Sequence, residues 1–349
     1  MSNKNFLPEW TPCDGVLMAL PESDTDWDYI LSEALDQYIN IVRNLTENGI
    51  HVAMLCRNVD KARKRLLSCK EAYITFIEAQ YNDTWTRDYG PLTIKHHGEL
   101  RGLDFGFNGW GLKFAADKDN LINRFLHQKA VFSPGLYRNR SGYILEGGSV
   151  DTDGKGTILT TTKCLCSPNR NGGLAKKEVV EKLTEYLGAK HVLFLDYGAL
   201  MGDDTDSHID TLARMAPENT IVFTGCRNVD DPHFEELLKM RAQLTMFRNQ
   251  DGEPYNLVEL PLPDPIFDEN GERLPATYAN YLVINDCLFV PTYNQPANDN
   301  LALQTLRIPF PEHKIVGIDC TILIRQHGSL HCATMQLPEG LFSPIIFNK

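Results

Sequence analysis

Long apolar runs are missing from this chain. No 18 consecutive residues are apolar, and the first ten, ending Phe6-Leu7-Pro8-Glu9-Trp10, contain no basic segment leading into an apolar stretch. Neither a membrane partner nor a secretory leader is expected, and the expected location is cytoplasmic. Positive charge is in deficit, with 34 Lys+Arg against 46 Asp+Glu and a formal charge of −12. A nucleic-acid partner is therefore not expected, whereas a cationic small molecule would be attracted. Cysteine is present nine times, an odd number scattered among apolar neighbours, so a disulfide framework is not indicated. There is no Walker A motif and no strand-following G-x-G-x-x-G. Cys164-Leu165-Cys166 has no second Cys or His pair at zinc spacing. A calcium loop beginning at Asp204 would need glycine where Ile209 stands and glutamate where Met215 stands.

What is present suffices for a large folded core. Apolar residues make up 42% and charged residues 23% of the 349, and a chain of about 300 residues buries roughly 75% of its unfolded surface. Trp27, Ile30, Leu31, Ala34, Tyr38, Ile41, Val42 and Leu45 recur every three or four positions, predicting a helix over about Thr25 to Asn48 that stops at Gly49. A strand at His51 to Cys56, a helix near Val59 to Lys70 and a strand at Tyr73 to Ile77 follow. That alternation is an α/β signature.

A composite unit then recurs: strand, tight turn, strand, helix, apolar strand. Its clearest copy runs through Ser149 to Thr152, Thr157 to Thr161, a helix at about Ala175 to Leu187, and His191 to Leu195. A second takes Ile209 to Met215, Thr220 to Thr224, Pro232 to Met246 and Asn256 to Leu260. A third takes Tyr281 to Ile284, Cys287 to Pro291, Asn298 to Leu306 and Lys314 to Ile318. An earlier copy uses Asp88 through Lys95, Leu100 to Phe107, Asp117 to Leu126 and Ala130 to Phe132. The last segment, Ser329 to Gln336, supplies only a first strand, and Gly15 to Cys56 supplies the remainder. Five units would close into a ring, one domain spanning 1–349, in which the first strands gather about one axis. The Pro-rich stretch Pro261 to Pro275 reads as an Ω-type surface loop within it.

Polar residues stand near the starts of these units, where a plain core would be apolar. Asp88 follows Trp85-Thr86-Arg87, and its plainer reading is a surface pair with Arg87. Glu146 precedes Gly147-Gly148, glycines that permit close backbone approach. In the run Asp203-Asp204-Thr205-Asp206-Ser207-His208-Ile209-Asp210, an extended strand would put His208 and Asp210 on one face, with carboxylates nearby to hold a proton on the imidazole. Cys332 lies among Gly328, Ser329 and two histidines. With His331 on the opposite face of an extended segment, its expected partner is His208.

One thiol, one carboxylate-supported histidine and several further carboxylates suit a guanidinium, whose five N–H donors pair with carboxylates. Thiolate attack on its central carbon and proton donation to departing ammonia need neither metal nor organic cofactor. Motif by motif, the chain resembles the agmatine deiminase family of the guanidine-modifying pentein superfamily, which includes the bacterial peptidylarginine deiminases. The resemblance rests on Pro8-Glu9-Trp10-Thr11-Pro12, Trp85 to Pro91, Phe105 to Gly111, Glu146 to Ser149, His208-Ile209-Asp210 and His331-Cys332.

It implies a five-bladed, pseudo-symmetric α/β propeller and conversion of agmatine to N-carbamoylputrescine and ammonia. By position, Cys332 resembles the nucleophile, His208 the general acid and later base, and Glu146 the carboxylate that orients His208. Asp88 and Asp210 resemble the guanidinium clamp, Trp85 the wall beside the methylene chain, and Asp204 the reader of the distal amine. Gln326-His327-Gly328-Ser329-Leu330 replaces the Gly-Gly-Gly-Asn-Ile carried by many members. A deiminase of free or peptidyl arginine would need a cation for a carboxylate or an open rim, with Arg138, Arg140 and Arg325 as candidates. A polyamine-binding propeller without catalysis is the alternative of a different class, and a homodimer is expected from general frequency alone.

Overall fold

The two ends of the chain share one sheet. In the computed structural model, which describes residues 3–347, β1 (Lys4–Phe6) is followed by β2 (Cys13–Ala19), β3 (His51–Cys56) and β4 (Ile74–Glu78). The next sheet contains β5 (Leu92–His96), β6 (Glu99–Gly106) and β7 (Tyr137–Ile144), and β1 adds antiparallel to its edge. Three smaller sheets follow: β8 (Val150–Thr152), β9 (Thr157–Thr161) and β10 (His191–Leu195); β11 (Ala213–Ala216), β12 (Thr220–Gly225) and β13 (Asn256–Pro261); then β14 (Leu282–Ile284), β15 (Cys287–Thr292) and β16 (Lys314–Asp319). Finally β17 (Met335–Pro338) pairs antiparallel with β2, completing the order β17-β2-β3-β4.

The middle three sheets follow one rule: an antiparallel hairpin, then a helix, then a strand parallel to the second hairpin strand. The connecting helices lie at Lys176–Leu187, Phe234–Met246 and Pro296–Thr305. The longest helix, Leu31–Glu47, buries Ala34, Tyr38, Ile41, Val42 and Leu45 on one face. It ends where Gly49 turns left-handed at φ 77° and Ile50 N–H reaches back to the Leu45 carbonyl at 3.0 Å.

Four sequence expectations need correction. His208 and Asp210 are not in a strand. Ile209–Thr211 is a 3₁₀ turn, and pairing starts only at Ala213. Asp203 causes this by drawing in the N–H groups of Thr205 and Ser207, while Asp206 and Ser207 take φ of 67°. The segment before β17 is also coiled: Ala333 N–H bonds Ser329 O and Thr334 N–H bonds His331 O, so His331 and Cys332 do not take opposite strand faces. Asp88 lies in the one-turn helix Thr86–Tyr89 rather than at the head of a strand. The third strand of the second sheet is the polar Tyr137–Ile144, whereas Ala130–Phe132 contributes one isolated bridge, Phe132 to Phe342.

The Pro-rich stretch is only half a surface loop. Its tip at Glu269–Glu272 is exposed, but Arg273 is buried and grips Asp231 through two hydrogen bonds of 2.8 and 2.9 Å. From Leu274 to Tyr281 the chain is buried continuously. That anchoring carries it inward to the start of β14.

Candidate active site

The turn preceding each first hairpin strand brings a polar side chain inward, and Gly148 is where three of them converge. A Cβ at Gly148 would lie 2.6 Å from His208 Nδ1 and 3.0 Å from both Asp210 Oδ2 and Asp88 Oδ1. Gly147 is equally constrained, because its Cβ would meet the Arg87 carbonyl at 2.1 Å. The paired glycines thus admit the protein's own side chains, a tighter requirement than approach to a ligand. The Gly148 N–H donates to Asp88 Oδ1 at 2.9 Å and Trp110 Nε1–H donates to Oδ2 at 2.9 Å.

Arg87 and Asp88 do not form a surface pair. Both are buried, and Arg87 points away toward Glu9, Gln336 and the His331 carbonyl.

His208 is fully buried, with Nε2 2.8 Å from Glu146 Oε2. Glu146 is held in turn by Arg170, whose Nε lies 3.1 and 2.9 Å from its two oxygens. Burial disfavours charge on both partners. For Glu146 the opposing pull of His208 and Arg170 wins, and its carboxyl stays below the usual range. For His208 burial is outweighed by Asp88, Cys164 and Glu146, raising its pKa well above the ordinary value. Its Nδ1 has no hydrogen-bond partner and faces Asp88 Oδ1 at 3.6 Å. The charged ring therefore retains an N–H that nothing in the protein accepts at short range.

Cys332 sits on the other side of the carboxylate pair. Its Sγ is 3.7 Å from Asp210 Oδ2 and 3.3 Å from Asn280 Nδ2. Burial first, then Asp210 and Asp88, push the thiol well above its usual pKa. A cation arriving between these carboxylates would remove that repulsion and favour the thiolate. Asp210 Oδ1 is buried without a hydrogen-bond partner. Burial is again opposed, here successfully, by His331, His208 and Arg214, so Asp210 stays below the usual carboxylate range.

A cleft of about 430 Å³ opens beside the sulfur, lined by Trp85, Asp88, Trp110, Phe114, Asp204 and Cys332 together with Asp26, Asp83 and His327. Glu146, His208 and Asp210 stand behind this lining. Trp85 can press into the wall because residue 328 is glycine, where a Cβ would come within 2.4 Å of the indole. Burial raises Asp83 to about 7, and burial with the neighbouring Asp203 raises Asp204 to about 6. No lysine or arginine is in the lining, and Arg138, Arg140 and Arg325 all lie elsewhere. A hollow of about 490 Å³ on the other side is larger, but it is lined by Phe6, Pro8, Thr93 and Val150 around ion-paired groups. Size alone does not select the site.

Two residues escaped the sequence reading. Asn280 is fully buried, and its Oδ1 accepts from the N–H groups of His331 and Cys332 while its amide touches the sulfur. Nothing in Tyr278-Ala279-Asn280-Tyr281 marks it beyond a polar residue in an apolar run. Asp83 lies two residues before Trp85 and is legible only as part of that polar turn. Glu146, Cys164 and His208 also bring ligand-type atoms within 4.8 Å of one another. Arg170 and His208 already occupy the Glu146 oxygens, so a metal ion would have to displace a buried guanidinium.

A thiol and a charged imidazole flanking two buried carboxylates, within five α/β sheets, define a hydrolase of guanidine C–N bonds with the pentein fold. The family profile of the Porphyromonas-type peptidyl-arginine deiminases matches residues 5–338, and the chain belongs to that family. It is 32% identical to a candidate agmatine deiminase of Vibrio parahaemolyticus, over 95% of this chain and 96% of that one. Among solved structures, a candidate peptidyl-arginine deiminase superposes with a TM-score of 0.91 at 44% identity, covering 97% of this chain and all of the other. The agmatine deiminase of C. jejuni with substrate bound superposes with a TM-score of 0.88 at 36% identity, covering 97% of each.

Proposed function

We propose that the protein is an agmatine deiminase, hydrolysing agmatine to N-carbamoylputrescine and ammonia. The observation that carries this reading is the charge of the cleft. Asp26, Asp83 and Asp204 line it beyond the carboxylate pair, and His327 is the one basic side chain in the lining, with no lysine or arginine there. A guanidinium at one end and an ammonium at the other match that lining, whereas the α-carboxylate of free arginine would enter an anionic site unpaired. The names of the relatives point to agmatine and to peptidyl-arginine alike.

In this reading Asp88 and Asp210 clamp the guanidinium, Trp85 flanks the methylene chain and Asp204 faces the distal ammonium. As the cation binds, the Cys332 thiol gives its proton to solvent, and the thiolate attacks the guanidine carbon, forming a C–S bond. His208, oriented by Glu146, gives its Nδ1 proton to the departing nitrogen, so the C–N bond breaks and ammonia leaves. The neutral imidazole then takes a proton from water, hydroxide adds to the thiouronium carbon, and breaking the C–S bond restores the thiol. The added hydroxyl supplies the proton that re-forms the thiol, so these steps consume one water, release one ammonia and one proton, and call on no cofactor. The five sheets serve as the blades of a pseudo-symmetric propeller in one domain, with the ring closed by β17 on β2.

Purified protein incubated with agmatine, free arginine and an arginine peptide distinguishes the substrates when ammonia and product mass are followed. Release from agmatine alone, with N-carbamoylputrescine as product, is expected. Preference for the peptide would move the protein to peptidyl-arginine chemistry, and release from none would remove the enzymatic reading.

A further inference from the structure

Glu9 and His331 take no part in the steps above, yet an unbroken chain of contacts ties them to the reacting sulfur. The two oxygens of Asp210 are treated differently. Oδ2 lies 2.7 Å from His331 Nδ1 and 3.7 Å from Cys332 Sγ, while Oδ1 is buried with no hydrogen-bond partner. On the far side of the ring, His331 Nε2 lies 2.6 Å from Glu9 Oε1. Each imidazole nitrogen thus faces a carboxylate, and the ring cannot turn without losing one of them.

Glu9 is itself fixed. Arg214 Nη2 bonds its Oε2, Gln336 Nε2 donates to the same oxygen at 3.0 Å, and Arg87 Nη1 lies 3.3 Å from Oε1. Arg214 is secured by Asp151 Oδ2 at 2.9 Å and by the carbonyls of Ala279 and Tyr281 at 3.1 and 2.9 Å. The anchoring groups therefore come from widely separated parts of the chain. They meet behind the site, where Glu9 and Arg87 border the rear hollow.

We propose that Glu9 and His331 are positioning residues which fix the Asp210 carboxylate from behind, keeping Oδ2 against the sulfur and leaving Oδ1 for a guanidinium N–H. The proposal rests on reading the front cleft as a guanidine site. Its physical basis is that the terminal torsion of an aspartate is broad and roughly two-fold, so an untethered Asp210 would exchange or tilt its oxygens. A displacement of about 1 Å in such a clamp costs on the order of 10²-fold in rate.

The test compares two alkylating agents of nearly the same shape, 2-chloroacetamidine, a cation, and 2-chloroacetamide, which is neutral. In each case the Cys332 sulfur forms a bond to the methylene carbon, chloride leaves and the thiol proton passes to water. The rate at Cys332 is followed by peptide mass, and the ratio of the two rates reports the clamp independently of turnover. The unsubstituted protein should favour the cation. His331→Ala and Glu9→Ala should each lower that ratio by about tenfold or more, toward the cost of a misplaced clamp.

His331→Asn, which can keep an N–H where Nδ1 stands, should restore most of the ratio. His331→Gln, which reaches only the Nε2 position, should not. This polar pair decides the matter even if the alanine variants fail to fold. Equal ratios in His331→Asn and His331→Gln, or an unchanged ratio in folded alanine variants, would overturn the positioning role. A protein with no preference for the cation before any substitution would instead overturn the guanidine reading of the cleft.

Discussion

The front cleft and the rear ion cluster are built from the same kinds of side chain, but their hydrogen-bonding capacity is used differently. At the rear, Arg214 spends its guanidinium on Glu9, Asp151 and two carbonyls, and the Glu9 oxygens meet His331, Arg87 and Gln336. At the front, His208 Nδ1 and Asp210 Oδ1 are buried without hydrogen-bond partners, and Asp83 and Asp204 carry raised pKa values. A saturated cluster holds structure together, whereas an unsaturated one keeps an unfavourable state that a ligand of the right charge relieves. Substitutions at the rear should therefore act on stability first, and those at the front on chemistry first.

The largest effect expected is at Cys332, the proposed nucleophile. Cys332→Ala should reduce ammonia release from agmatine to background while the circular dichroism spectrum and melting temperature stay close to those of the parent. Substantial residual turnover would assign the attack to another group. Next, His208→Ala should lower turnover by about 10² to 10⁴, the usual contribution of a general acid and base. Intact-protein mass spectrometry should then find either a trapped covalent adduct or none formed at all, and an undiminished rate would dismiss the assignment.

Arg214→Met probes the rear and should reverse the pattern. Leaving the buried Asp151 and the half-buried Glu9 without their shared cation is expected to cost about 3–5 kcal/mol in urea unfolding. A variant as stable as the parent would erase the contrast between the two regions.

The smallest effect expected is on pH dependence. As pH falls from 8 to 5, Asp83 near 7 and then Asp204 near 6 take up protons and become neutral. Attraction for a dication is lost in the acidic direction, so KM for agmatine should rise, by about tenfold for each 1.4 kcal/mol of lost attraction. Asp83→Asn should remove the part of the rise above pH 6.5, and an unaltered profile would separate Asp83 from substrate binding.

Much of the framework was legible because buried parallel strands are short apolar runs that need no partner to be recognised. Thr157 to Thr161 and His191 to Leu195 occur with the bounds their composition suggests. Tyr137–Ile144 was hidden because Arg138, Asn139 and Arg140 give it no apolar alternation, whereas Ala130-Val131-Phe132 looks like a strand and is not one. The segments bearing His208 and Cys332 were misread locally because their shape is set by side chains bonding nearby backbone, Asp203 above all. Their convergence was nonetheless foreseeable from the repeat, which brings equivalent turns together whatever their local form. Asn280 carries no charge and no motif, so its contact with the sulfur could be found only in three dimensions.

The pairing of β17 with β2 has a consequence for the newborn chain. Leu17 leaves the ribosome long before its partner Met335, and Cys332 lies just ahead of that partner. Four of the five sheets can assemble while the sulfur is still unmade, and its seat between Asn280 and Asp210 is filled at the same late stage that stitches β17 to β2. Nascent protein should thus stay inert toward guanidines until Cys332 and β17 have emerged.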